Sequence, residues 1–188
     1  MTDAIELLKR DHDEARRLMA ALETGQVAGA RASQDMCGAL VEHLVIEQSG
    51  HEAIEEQYFW PLVRRRVQDG ARLADQAINQ EQDVKRVLDQ LEKHDPGDPG
   101  FEALIRQFIA IGRAHIDFEE TRVWPGVRLA LSEQELDEVG AQLEQAKRLA
   151  PTRPHPNVPP TPEVLKVAAP IAGATDRIRD VLAGRKAR

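Results

Sequence analysis

Apolar residues recur through the first 150 positions at alternating steps of three and four, the spacing of one face of a helix. The first stripe runs Ile5, Leu8, His12, Ala15, Met19 and Leu22, apolar throughout except for one histidine. A break at residues 25–30 is expected to end it. The second stripe reads Leu40, Leu44, Gln48, His51, Glu55, Tyr58 and Leu62, with Pro61 expected to kink or end the helix. Past Gly70 a third carries Leu73, Ala77, Glu81, Val84, Leu88 and Leu91, and stops before the turn-rich HDPGDPG of residues 94–100. The fourth runs Phe101, Leu104, Phe108, Ile111, His115, Phe118, Glu119 and Arg122, and Pro125 repeats the stop of Pro61. Four such stripes joined by short links predict an all-α protein, an antiparallel four-helix bundle.

The pattern changes after the bundle. Ser132 followed by Glu135 is a capping box opening a fifth helix to about Leu149, and APTRPHPNVPPTP then reads as an extended, polyproline-like strap. A last stretch has helical character broken at Pro170, with Val164, Val167, Ile171, Ile178 and Val181 forming an apolar edge. The expected organisation is a bundle with its fifth helix over 1–150 and a tail over 151–188. That tail either covers the bundle or joins two copies of the chain as a homodimer.

At 188 residues and 41% hydrophobic content the chain can bury one sizeable core. Its net charge of −7 argues against a phosphate-backbone binder, because such binding needs a basic surface, so nucleic acid is not an expected partner. One cysteine, Cys37, fits a reducing compartment and is read as a small buried hydrophobe. The N-terminal stretch MTDAIELLKRDHDE has no leader character, and no run is long enough to span a bilayer. The expectation is a soluble, cytoplasmic protein with no membrane partner.

The chemistry lies where the stripes turn polar. HEAIEEQYFWP at residues 51–61 returns as HIDFEETRVWP at residues 115–125, with His, the Glu pair, Trp and Pro at the same offsets. Residues four apart lie about 40° apart around a helix, so His51 with Glu55 and His115 with Glu119 each present an imidazole and a carboxylate together. With His12 and Glu81, every inner stripe contributes polar groups to one core. Buried carboxylates must be paired, protonated or coordinated, and apart from Arg122 no basic residue is evident on these stripes, so a shared cation is called for. Three His and three Glu suit two first-row metal ions, with Glu55 and Glu119 placed to bridge them.

Other residues fall outside this set. Glu56 and Glu120 lie about 140° around the helix from their histidines and read as outer supports or solvated acids. His43 begins a second HxxxE with Glu47 but sits about 80° from His51, at an edge or on the surface. Tyr58 shares the inner stripe, where it packs or donates to a ligand or to bound oxygen. His94 and His155 fall in a linker and in the tail.

These residues resemble the hemerythrin-like, HHE cation-binding family: His12 in DHDEARRL, the blocks HEAIEE and HIDFEE, and the FWP and VWP that follow, over roughly residues 1 to 150. The resemblance implies two iron ions, oxo- or hydroxo-bridged, with His12 and His51 on one, Glu81 and His115 on the other, and Glu55 and Glu119 bridging. Many members place a histidine on helix three where NQEQDVKRVLDQL puts Glu81, and a further helix-three histidine of oxygen-carrying hemerythrins has no match. The function implied is that of a non-haem diiron protein that binds or turns over dioxygen, hydrogen peroxide or nitric oxide in redox or oxygen handling. Peroxidase- or catalase-like turnover fits Glu81 better than reversible oxygen carriage, because an extra carboxylate favours the ferric state. The alternatives are a diiron oxygenase acting on an organic substrate and an iron storage or sensing protein. The dry pocket is expected among Leu44, Leu88, Phe108 and Phe118.

Overall fold

The computed structural model describes residues 3–27 and 34–182. Eight α-helices follow one another among them: α1 (Ala4–Val27), α2 (Gln34–Ile54), α3 (Trp60–Arg66), α4 (Gly70–Lys93), α5 (Phe101–Phe118), α6 (Trp124–Ala130), α7 (Glu133–Lys147) and α8 (Pro162–Leu182). Two π-helical segments, Glu55–Phe59 and Glu119–Val123, join α2 to α3 and α5 to α6, so each of those pairs is one continuous rod. Helix α1 continues past Gly25 to Val27, and the rest of the break expected at 25–30 lies outside the described residues.

The four rods alternate in direction, as their packing demonstrates. The apolar core falls into two clusters. One holds Leu8 of α1, Phe59 and Val63 beside α2, Ala77 of α4 and Val123 and Val127 beside α5. The other holds Leu18 of α1, Leu44 of α2, Leu88 of α4 and Phe108 of α5. Along α1 and α4 the chain passes from the first cluster to the second, and along the other two rods it returns, which is the up-down-up-down course of an antiparallel bundle. Between the clusters lies a polar slab, crossed once by each rod: His12, then Gln48 to Gln57, then Glu81, then His115 and Glu119.

Pro61 and Pro125 do not end their helices. Proline has no N–H, and its ring crowds the carbonyl four residues back. The turn before each proline widens instead, with Trp60 N–H donating to the Glu55 carbonyl and Trp124 N–H to the Glu119 carbonyl, five residues back. The wider turn advances the buried face by one position. Phe59, Trp60 and Val63 are therefore buried where Tyr58 and Leu62 were expected, and Val123 is buried where Arg122 was expected; Arg122 is exposed.

The connections are tight. Asp69 adopts a left-handed conformation with φ 56°, and a side chain at Gly70 would meet the Val63 carbonyl oxygen at 2.0 Å, so only glycine lets α4 start against α3. Helix α7 opens on the expected capping box, Ser132 Oγ accepting from Glu135 N–H while the Glu135 carboxylate accepts from Ser132 N–H. Its Leu136 and Leu143 enter the first core cluster.

Helix α8 is not broken at Pro170, which lies inside it on the exposed side. The helix packs on the first π segment. It is keyed by polar pairs: buried Asp176 accepts from His155 at 2.9 Å, and buried Asp180 from Arg153 at 2.8 Å. Its apolar edge of Val164, Val167, Ile171, Ile178 and Val181 consequently faces outward. No described helix is long and apolar enough to cross a membrane.

Candidate metal centre

The polar slab brings His12, His51, Glu55, Glu81, His115 and Glu119 together, each no more than 2% exposed. Their donor atoms form two sets. His12, His51 and Glu119 offer atoms all within 4.8 Å of one another, and so do Glu55, Glu81, His115 and Glu119. Glu119 belongs to both: Oε2 lies 3.0 Å from His12 Nε2, and Oε1 3.1 Å from His115 Nε2. Glu55 also reaches across, with Oε2 3.1 Å from His51 Nε2.

These approaches are not hydrogen bonds. The three Nε2 atoms, both oxygens of Glu55 and of Glu119, and Glu81 Oε2 are buried without a hydrogen-bond partner. Eight orphaned polar atoms facing one another would be costly in a finished core, at about 1 to 3 kcal/mol each. Their spacing is that of donors around an ion, since two ligands each about 2.1 Å from one first-row cation and at right angles lie about 3.0 Å apart. The residues therefore fit a metal pair.

Electrostatics agree. Burial, and then the neighbouring Glu119, push the Glu55 carboxyl well above its ordinary range; burial, and then Glu56 and Glu55, do the same to Glu81. Burial opposes ionisation of Glu119 as well, but His115 and His12 outweigh it and hold that carboxyl low. Three carboxylates this close cannot all be charged without added positive charge.

Each histidine is oriented from behind. Nδ1 of His12 lies 3.0 Å from Glu120 Oε1, that of His51 3.3 Å from Asp11 Oδ2, and that of His115 3.2 Å from Gln80 Oε1. An acceptor on Nδ1 places the proton there and leaves the Nε2 lone pair facing the centre. Trp124 stacks on His12 at 4.9 Å, and Trp60 Nε1–H donates to Glu81 Oε1, leaving Oε2 free toward the centre.

Some positions differ from the sequence reading. A basic residue does enter the slab: Lys85 is buried and its Nζ lies 2.6 Å from Glu56 Oε2. It neutralises Glu56, which is itself buried and also accepts from Gln82, and its charge acts on Glu81 one turn before it. Glu52 lies off the inner stripe of its helix in sequence, yet it is fully buried with neither oxygen bonded, and burial raises its carboxyl to about 8. Asp11 and Gln80 each stand one position before a candidate ligand, which is the signal that could have found them. Tyr58 is half-buried and packs on the first core cluster; the indole bond to Glu81 comes from Trp60. His43 lies apart from both donor sets, half-buried, 3.6 Å from Glu47 and 3.7 Å from Glu14. His94 is exposed and bonds the Gln90 carbonyl.

Residues 3–127 match the family described as hemerythrin HHE cation binding domain. An uncharacterized hemerythrin-like protein of Schizosaccharomyces pombe is 27% identical over 139 residues, covering 73% of this chain and 68% of the relative. A DNA nickase of Nostoc is 23% identical over 142 residues, 76% of this chain but only 38% of that protein. The crystal structure of a hemerythrin HHE cation binding domain-containing protein from Mycobacterium kansasii is similar with a TM-score of 0.64 and 26% identity, over 79% of this chain and 89% of that one.

Proposed function

We propose, for a chain that belongs to the hemerythrin HHE cation-binding family, a role as a non-haem diiron protein that binds or turns over dioxygen, hydrogen peroxide or nitric oxide. The observation that carries this reading is the pair of donor sets sharing Glu119, buried in a slab between two apolar clusters. His12 and His51 would hold one iron, Glu81 and His115 the other, with Glu55 and Glu119 bridging. Irons held there supply redox change and open coordination positions for small oxygen species.

The chain's own residues do the rest. Asp11, Glu120 and Gln80 keep the Nδ1 protons and so the imidazole lone pairs directed inward. Trp60 fixes one oxygen of Glu81. The apolar clusters above and below exclude water, which strengthens every charge interaction in the slab. Glu81, a carboxylate where many relatives carry an imidazole, adds negative charge and supports oxidative turnover of peroxide over reversible oxygen carriage.

Elemental analysis and an optical spectrum of iron-loaded protein test this. Two irons per chain are expected, with absorption bands that change on adding hydrogen peroxide or nitric oxide, and with measurable peroxide decomposition. One iron per chain, or zinc bound with no iron uptake, would overturn it.

A further inference from the structure

The family match ends at residue 127, yet one side chain beyond it reaches the surroundings of the metal centre. Lys147 stands in the last turn of α7, and its Nζ lies 2.6 Å from Asp11 Oδ1, whose other oxygen lies 3.3 Å from His51 Nδ1. The ammonium also stands 3.4 Å from Glu47 Oε2. Helix α1 and the second π segment build the same device for His12: Arg16 donates twice to Glu120, at 2.8 Å each, and Glu120 Oε1 is 3.0 Å from His12 Nδ1. His115 is served differently, by the neutral amide of Gln80. Both histidines of one donor set, and no histidine of the other, are thus backed by a carboxylate that is itself held by a cation.

We propose that Lys147 is a positioning residue for the ion held by His12 and His51, so that α7 is a working part of that half of the centre; this rests on the two-ion reading above. A carboxylate accepting from one imidazole N–H is free to rotate and to swing toward water. With one oxygen pinned by the ammonium, the other stays on His51 Nδ1, which fixes the ring plane and the tautomer that leaves Nε2 bare. The Gln80 amide gives His115 orientation without added negative charge, so the two ions differ in how strongly their imidazoles donate. Lys147 is 30% exposed, and α7 is anchored independently through buried Leu136 and Leu143, so removing the ammonium leaves the helix docked and opens no cavity.

Cobalt(II) titration of the metal-free full chain, read by visible absorption against a competing chelator, tests this. The parent is expected to take up two ions. Lys147→Met should keep one at parental affinity and bind the other about 10- to 100-fold more weakly, the loss typical of an outer partner of a metal-bound histidine. Lys147→Arg should restore it, and Arg148→Met, one residue on, should behave as the parent. In the zinc-loaded protein, histidine ¹⁵N spectra should show the His51 Nδ1 proton exchanging faster in Lys147→Met, with His115 unchanged. Asp11→Asn, which keeps the shape but not the anion, should weaken the same ion, and carries the test if Lys147→Met fails to fold. Equal weakening of both ions with a shifted metal-free unfolding transition would make Lys147 a structural pin and overturn the proposal, as would no change in either ion. A parent that binds one ion sinks the two-ion reading alone, and Lys147 is then judged on that ion by the same methionine and arginine contrast.

Discussion

His43 and Glu47 have the same spacing as His51 and Glu55, four residues apart on the same helix, yet only the second pair enters the centre. Eight residues rotate a helix face by about 80°, which carries His43 to the rim, where its side chain is 28% exposed. His51→Ala and His115→Ala are therefore expected to lose iron and to destabilise the fold by about several kcal/mol, because carboxylates remain facing one another without their cation. His43→Ala should do neither, and iron content with thermal midpoints of the three variants decides it. Glu81 presents the complementary case, one oxygen held by Trp60 and the other free toward His115. Glu81→Gln removes the charge and should weaken one ion and raise the reduction potential, whereas Glu81→His should retain both ions and decompose peroxide more slowly. Unchanged metal content, spectrum and turnover in both variants would remove Glu81 from the ligand set.

At the scale of elements, the two π segments do the aiming. Each begins on a bridging candidate, Glu55 or Glu119, and each is followed by the Trp-Pro pair. The extra residue in the turn brings Trp60 onto Glu81 and Trp124 onto His12 while burying Phe59 and Val123. Thr121 is exposed within the second segment, so deleting it should shorten that turn to an ordinary α-turn without touching the core directly. Residues beyond would keep their orientation relative to α5, because the π turn already absorbs the extra residue, but the Pro125 ring would then crowd the carbonyl four residues before it. The expected result is a loss of about 3 kcal/mol or more, the scale of a proline forced into an α-helix interior, together with weaker iron retention. Calorimetry and metal analysis of the deletion variant test it, and a parental midpoint with full iron would show that the widened turn is incidental.

Across the whole molecule, the core is interrupted by its own functional layer. Two apolar clusters are joined through a slab holding Glu52, Glu55, Glu56, Glu81 and Glu119, with Lys85 as a buried fixed cation. Such a slab is stable only with its charge balanced, so metal bound there would be coupled to folding. Chelation is expected to lower the unfolding midpoint, and readdition of ferrous iron to restore it. At free metal about 1,000 times the dissociation constant the gain is about 4 kcal/mol. Calorimetry on stripped and reloaded protein measures it; identical midpoints would mean that the slab is balanced by protons alone.

What the amino-acid sequence determined by itself was the set of rods and their inward residues as far as the helical period held. His12 and Glu81 follow from stripes in α1 and α4 that run unbroken at 3.6 residues per turn, and His51, Glu55, His115 and Glu119 from a motif repeated at matching offsets. The capping box of α7 was legible because both of its bonds are local. Tertiary structure alone decided the rest. A π turn costs one residue of register that no periodicity reveals, so Tyr58 and Leu62 moved to the edge of the inner face, Arg122 left it, and Trp60 and Val123 joined it. The partners Asp11, Lys147, Arg16 and Glu120 come from positions up to 136 residues apart, and the burial of Lys85, Glu52 and Asp176 depends on which helix happens to cover them. Spacing along a helix is a local quantity that sequence records; which charge lies opposite another is set by packing between helices, and only the folded chain contains it.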